Sequence, residues 1–220
     1  MTVWRDDLGH PVELAGPARR VVSLVPSLTE AVAVSAPGLL AGATDWCTHP
    51  AGLAVTRVRG TKNPDRAAVA ALGPDLVIAN REENRELDVT RLREAGLAVW
   101  VTVIESVPEA LASMRRLLTG PLGLAVPDWL TVAERAWAGP GEGSGAGPAA
   151  GPESESLARP RVVVPIWRDP WMVVGARVVL LPGRLLTWYG PSLATARAEL
   201  RDLLALGRRR RGGRRIRVRG

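Results

Sequence analysis

Aromatic rings gather in three short phrases of this chain: Thr44-Asp45-Trp46-Cys47, Pro165-Ile166-Trp167-Arg168-Asp169-Pro170-Trp171 and Leu186-Thr187-Trp188-Tyr189-Gly190. Each follows, or closes, a run that reads as a strand, and Trp100 lies inside another. The sequence has no Phe and one Tyr, so scarce aromatic surface is placed in a few turns. Large flat rings in loops suit a large, flat, partly apolar ligand, because stacking and area burial act together there. The competing account is that each indole fills a gap in the core, the usual fate of Trp.

Other chemistry-bearing patterns are thinner. Asp45, Cys47 and His49 alternate and would share one face of an extended segment, and each can ligate zinc or a similar metal. No second ligand pair accompanies them and His10 is the only other histidine, so a polar loop is the better reading. Ser27 follows a strand but lacks the Gly-x-Ser-x-Gly surroundings of a nucleophile elbow. The Gly-rich stretch opens no helix with Lys or Ser/Thr, which removes a phosphate-binding loop. Nothing in these patterns points to an enzyme. Arg81-Glu82-Glu83-Asn84-Arg85-Glu86 follows a strand at the edge where open sheets bind ligands, although a solvated first helical turn explains it as well.

With 220 residues and 46% hydrophobic composition the chain can bury a substantial core. The net charge of +7 is local: residues 207–220 hold eight Arg and no acid, so the other residues sum to −1. That tail has no aromatic interleaving and reads as disordered, adhering weakly to RNA or acidic surfaces by counterion release. One cysteine allows no internal disulfide. The N-terminus has no basic segment followed by an apolar core and a cleavage site, so the chain as written is expected in the cytoplasm. Pro, Gly or charge cuts every apolar run before the ~20 residues of a membrane span.

The elements needed to position the aromatic turns alternate between strand and helix. Predicted strands cover Arg20–Val25, Leu39–Thr44, Asp75–Asn80 and Leu97–Ile104. Predicted helices begin at Ser27, read as the cap of a Ser-x-x-Glu box closed by Glu30, at Asn63, read as the cap before Pro64 and Asp65, near Asn84, and at Ser106 in a second box with Glu109. Ala110, Leu111, Met114, Leu117 and Leu118 share one helical face. Continuous apolar strands with intervening helices predict an α/β fold, a parallel sheet covered on both sides. Residues 127–138 read as one more helix. Residues 139–160, almost all Gly, Pro, Ala, Ser and Glu, read as a flexible linker. Residues 161–206 hold about three short strands, the last ending at Tyr189, and a helix from Ser192 to Leu206. The expected organisation is an N-terminal α/β lobe over 1–138, a linker over 139–160, a truncated α/β C-terminal lobe over 161–206 and a tail over 207–220.

The order Arg20-Val21-Val22-Ser23-Leu24-Val25-Pro26-Ser27-Leu28-Thr29-Glu30, Thr44-Asp45-Trp46-Cys47, Gly60-Thr61-Lys62-Asn63-Pro64-Asp65 and Pro74-Asp75-Leu76-Val77-Ile78-Ala79-Asn80 resembles the cobalamin and iron-siderophore binding proteins of ABC importers, the helical backbone metal receptors. The resemblance covers residues 4–118 and resumes at 164–175 and 184–197. It implies two α/β lobes joined by one long helix, with a metal chelate held between them and no catalysis. The implied ligand is cobalamin or a related corrinoid, with haem and siderophore chelates as the other members of that class. The resemblance places Trp46, Lys62, Asn80 and Glu82 on the first-lobe side of the cleft and Trp167, Arg168 and Trp171 on the second, with Trp188 and Tyr189 at its edge. It also implies an ABC permease as partner, docked through Asp65, and a location outside the cytoplasmic membrane, as is usual for the family. Between Gly175 and Leu185 the family has most of its second lobe, and here about nine residues stand in its place.

Overall fold

The computed structural model describes residues 1–138, 185 and 188–209, the last six by their backbone alone. Contacts divide the chain into one unit made of Met1–Trp137 with Gly183–Arg197, and a second made of Ala138–Pro182 with Ala198–Gly220. The sequence reading gave 161–206 to a separate lobe, whereas Gly183–Arg197 groups with the first unit. The linker, Trp167, Arg168, Trp171 and the tail beyond Arg209 lie outside the described residues.

A five-stranded parallel sheet organises the first unit. Its strands are β3 (Val21–Ser23), β4 (Leu40–Ala43), β5 (Thr56–Arg57), β8 (Leu76–Asn80) and β9 (Val99–Thr102), in the order β5-β4-β3-β8-β9. Val21 pairs with Leu40 on one side and Leu76 on the other, and Ile78 pairs with Trp100. All five residues of β8 are buried, as a strand covered on both faces requires.

Alternation along the strands sorts side chains into two cores. Val21, Leu76, Ile78 and Trp100 pack with α1 (Pro26–Ser35), α4 (Val107–Thr119) and α5 (Asp128–Trp137). Val22, Val77, Ala79, Val99 and Val101 pack with Val69 of α2 (Arg66–Ala71) and with Val89 and Leu92 of α3 (Glu86–Glu94). Helices on both faces of a parallel sheet make the three-layer α/β arrangement that the alternating pattern predicts. The face of α4 read from spacing is buried throughout, from Ala110 to Leu118. Each of these large aliphatic side chains contributes about 1.5–3 kcal/mol on full burial.

An antiparallel hairpin, β1 (Thr2–Arg5) with β2 (Pro11–Leu14), precedes the sheet and has no counterpart in the sequence reading. Two adjacent carboxylates dock it. Asp6, with a wholly buried side chain, accepts from the backbone N–H groups of Leu8, His10 and Val101 and from Arg93. Asp7 accepts from Val103 N–H, from the Ser113 hydroxyl at 2.5 Å and from Arg116.

Helix starts differ from the predicted ones. The first helix begins at Pro26, with extended Val25 before it and no side-chain cap, so Ser27 is not a capping residue and Glu30 closes no box. Proline at the first helical position, whose missing N–H costs nothing there, initiates it instead. Asn63 and Pro64 are not the start of a helix either: they form β7 (Asn63–Pro64), paired with β6 (Arg59–Gly60), and Asp65 is the cap of α2, accepting from Ala68 N–H at 3.0 Å. Ser106 does cap α4, but Glu109 returns to the N–H of Glu105 rather than that of Ser106. The final helix, α6 (Leu193–Arg209), runs three residues past the expected Leu206, into the segment read as tail.

Candidate functional site

The chain moves from β3 outward to β4 in one direction and from β8 outward to β9 in the other, so the strand order reverses between β3 and β8. Loops leaving the carboxyl ends of those two strands diverge to opposite faces, α1 on one and α3 on the other. Such a point leaves a crevice at the sheet edge, the usual ligand position in open α/β sheets. A cavity of about 420 Å³ lies there, lined by Pro26 and Ser27 after β3, Asn80, Glu82 and Glu83 after β8, Ile104 after β9, and Trp188 and Tyr189.

The turn after β8 is built by two asparagines. Asn80 is buried, and its Oδ1 accepts from the N–H groups of Glu82 (2.8 Å) and Glu83 (3.1 Å), while Nδ2 donates to the backbone and hydroxyl oxygens of Thr102. Asn84 Oδ1 accepts from Asn80 N–H at 2.8 Å, and its Nδ2 donates to Leu24 O and Thr61 O. The result is a fixed turn that projects Glu82 and Glu83 at the sheet edge. Asn80 therefore lines the cavity with its amide fully engaged.

Glu83 is half-buried, and its Oε1 accepts from the Tyr189 hydroxyl at 3.1 Å. Burial pushes the Glu83 carboxyl above its ordinary range, against the opposing effects of the Tyr189 hydrogen bond and the nearby Lys62 ammonium. The same burial, with Glu83 beside it, pushes the Tyr189 phenol far up, so it stays a neutral donor. Ser27 lies close enough to Tyr189 to ease that shift slightly, yet the buried Ser27 hydroxyl makes no hydrogen bond of normal geometry. Gly190 follows with its backbone against Ser27, where a Cβ would stand 3.0 Å from Ser27 O.

Trp188 is half-buried. Its indole N–H donates to Glu30 Oε2 at 2.6 Å, and His49 meets the ring edge-on with centroids 5.5 Å apart. Trp188 and Tyr189 are in a loop, and Leu185 is helical, in place of the strand expected over 185–189. Trp46 stands in the loop after β4 with 67% of its surface exposed, the most exposed aromatic ring among the described residues. Trp100 is a core residue, 1% exposed.

Of the other expected site residues, Lys62 is exposed and donates to the backbone carbonyl of Glu82. The Glu82 carboxylate is exposed and pairs with Arg81, which also reaches Glu105 at 2.5 Å. The Asp45, Cys47, His49 alternation forms no metal cluster; none occurs among the described residues. Cys47 turns inward, its sulfur 3.0 Å from Thr29 Oγ1 and 3.1 Å from Thr44 Oγ1, while Asp45 is exposed.

Sequence reasoning missed four lining residues, Pro26, Ser27, Glu83 and Ile104, together with Glu30 as the partner of Trp188. Ser27 and Glu30 were absorbed into a capping box, and Glu83 into a solvated helical turn. Their common signal is position: each lies beyond the carboxyl end of β3, β8 or β9.

No family model matches the sequence, and no curated protein matches it significantly. Solved structures do. The vitamin B12 binding protein BtuF of Vibrio cholerae, a periplasmic protein, is 25% identical over 46% of this chain and 40% of that one, with a TM-score of 0.43. The periplasmic heme-binding protein RhuT from Roseiflexus sp. RS-1 is 18% identical over 54% and 47%, with a TM-score of 0.48. Heme binding protein HmuT is 20% identical over 61% and 47%, with a TM-score of 0.51. The chain spans less than half the length of each of these structures. Over the matched part, the parallel sheet and its covering helices have the fold of heme binding protein HmuT.

Proposed function

We propose that this chain binds a metal chelate without catalysis, in the manner of an ABC-importer substrate-binding protein, with a cobalamin-like corrinoid as the favoured ligand. The observation that carries the reading is the cavity at the strand-order reversal, where Trp188 and Tyr189 meet the turn after β8. Its volume of about 420 Å³ lies in the range of small-molecule sites. It would take one edge of a macrocycle, with the exposed Trp46 available to stack on a ring face. The Trp167, Arg168 and Trp171 side would complete the cleft, and Asp65 would face a permease, both as the sequence resemblance implies. Asn80 acts in this reading by holding the turn, Glu82 and Lys62 by bracing its outer edge. That HmuT is named as a heme binding protein supports a chelate as the class of ligand. No helix among the described residues is long and apolar enough to cross a membrane.

Titration of the full chain with cyanocobalamin and with hemin, followed by Trp fluorescence, tests the reading. Saturable quenching is expected with at least one of them. Trp46→Ala and Trp188→Ala are expected to weaken binding by about 0.5–1.5 kcal/mol for each stacking pair lost, beyond the area term, while Trp4→Ala leaves it unchanged. Quenching that stays linear with every chelate up to high micromolar concentration removes the proposal.

A further inference from the structure

The charge of the cavity wall separates the chelates that the proposed function leaves together. Two of the eight lining residues, Glu82 and Glu83, are acids and none is a cation. Two cations stand outside the wall: Lys62, which donates to the Glu82 carbonyl and whose charge also acts on Glu83, and Arg81, between Glu82 and Glu105. Glu82 is thereby neutralised in part and remains exposed. Glu83 is the acid that is both partly buried and bonded to the Tyr189 hydroxyl. Its Oε1 accepts from the Tyr189 hydroxyl, which leaves its Oε2 for water or a ligand. Ser27 Oγ, on the same wall, is buried and makes no hydrogen bond of normal geometry.

A carboxylate oxygen at the wall of a partly desolvated cavity favours a ligand that brings an N–H or O–H to it. The same oxygen opposes a ligand carboxylate, because like charges at close range in a partly desolvated site repel. Resting on the chelate-binding reading, we infer that Glu83, supported by Ser27, is a specificity-determining residue that selects ligands whose edge carries neutral amide donors over ligands whose edge carries carboxylates. The substrate class is then an amide-bearing macrocyclic chelate. Chelates that must seat a free propionate or another anionic arm at this edge are disfavoured.

The test compares cyanocobalamin with its derivative in which one peripheral propionamide is hydrolysed to a carboxylate, each of the three positional isomers in turn, near neutral pH. The unaltered full chain is expected to bind the amide form about tenfold more tightly than at least one isomer, the ratio that follows from losing one charge-assisted hydrogen bond. Glu83→Gln, which keeps an acceptor for Tyr189 and removes the charge, is expected to bring that ratio to within about threefold. The first comparison needs no substitution, so it stands even if the variant folds poorly. Equal binding of the amide form and all three acid forms overturns the inference while leaving the chelate reading intact, as does an unchanged ratio in a folded Glu83→Gln. Absence of binding by every form overturns both, and is told apart from the previous results by the missing quenching.

Discussion

The indole N–H of Trp188 reaches the carboxylate of Glu30 at 2.6 Å, joining residues 158 positions apart in the sequence. Glu30 is 6% exposed, so the bond is made in a largely desolvated place. It anchors the 188–190 segment at the amino-terminal end of α1, beside Ser27. Hydrogen bonds to ionised groups contribute about 1.5–3 kcal/mol, and Glu30→Ala is expected to lower stability by about that amount. Urea denaturation measures the loss, and a shift of the Trp emission spectrum in native buffer reports the changed surroundings of Trp188. A variant with an unchanged midpoint and unchanged emission would show that the contact does not hold the segment.

The layers were legible in the sequence because buried parallel strands are continuous apolar runs, and Leu76 to Asn80 or Val99 to Thr102 can be read in no other way. The buried face of α4 was legible from its spacing for the same reason. Local polar signals were less faithful. Ser27 and Glu30 have the spacing of a capping box, yet Pro26 starts the helix and leaves both side chains to tertiary partners. Asn63, Pro64 and Asp65 contain a real cap, but it is Asp65, because the preceding pair is taken up by a short β-ladder. The position of the site after the strands could be inferred from the fold rule; the Glu83–Tyr189 and Glu30–Trp188 pairs could not, since nothing in spacing links residues more than a hundred positions apart.

Asp6 is the centre of the docking of the amino-terminal hairpin. Its side chain is wholly buried and accepts four hydrogen bonds, one of them from Arg93 at 2.8 Å. Removing one member of a buried ion pair leaves the other uncompensated, so Asp6→Ala is expected to cost about 3–5 kcal/mol. Thermal or urea unfolding checks this, and amide hydrogen exchange at Val101 is expected to speed up as its acceptor disappears. A loss below about 1 kcal/mol would place the hairpin among surface decorations rather than structural elements.

Cys47 has the position of a ligand or nucleophile, two residues from Asp45 and from His49, but its setting makes it inert. The side chain is 0% exposed, and burial raises the thiol above its ordinary value of 9.0, with hydrogen bonds from Thr29 and Thr44 offsetting part of the rise. The thiolate is the reactive form, so a disulfide reagent is expected to modify native protein at least about a hundredfold more slowly than denaturant-unfolded protein. Equal rates in the two states would mean that the loop after β4 opens freely. Thr29→Val together with Thr44→Val, which removes both hydroxyl partners and leaves the Thr44 backbone and Arg57 in place, is expected to slow the native reaction further.

Glu83 predicts a pH dependence whose sign is fixed by the direction of its shift. Its folded-state carboxyl lies above the ordinary value of 4.5, chiefly because burial disfavours the ion, so the folded state holds this proton more tightly than the unfolded state does. The stability contributed by the neutral carboxyl is therefore complete below pH 4.5 and is lost as pH rises through the raised folded value. Gln has no such proton to lose and can still accept from the Tyr189 hydroxyl. The stability of Glu83→Gln relative to the unaltered chain is expected to increase as pH rises above 4.5, levelling off once Glu83 is ionised in both states. Groups remote from Glu83 that titrate in this range cancel in the difference. A difference that stays flat across the range, or that falls as pH rises, would mean that water reaches the carboxylate freely and that the cavity wall is more open than its burial implies.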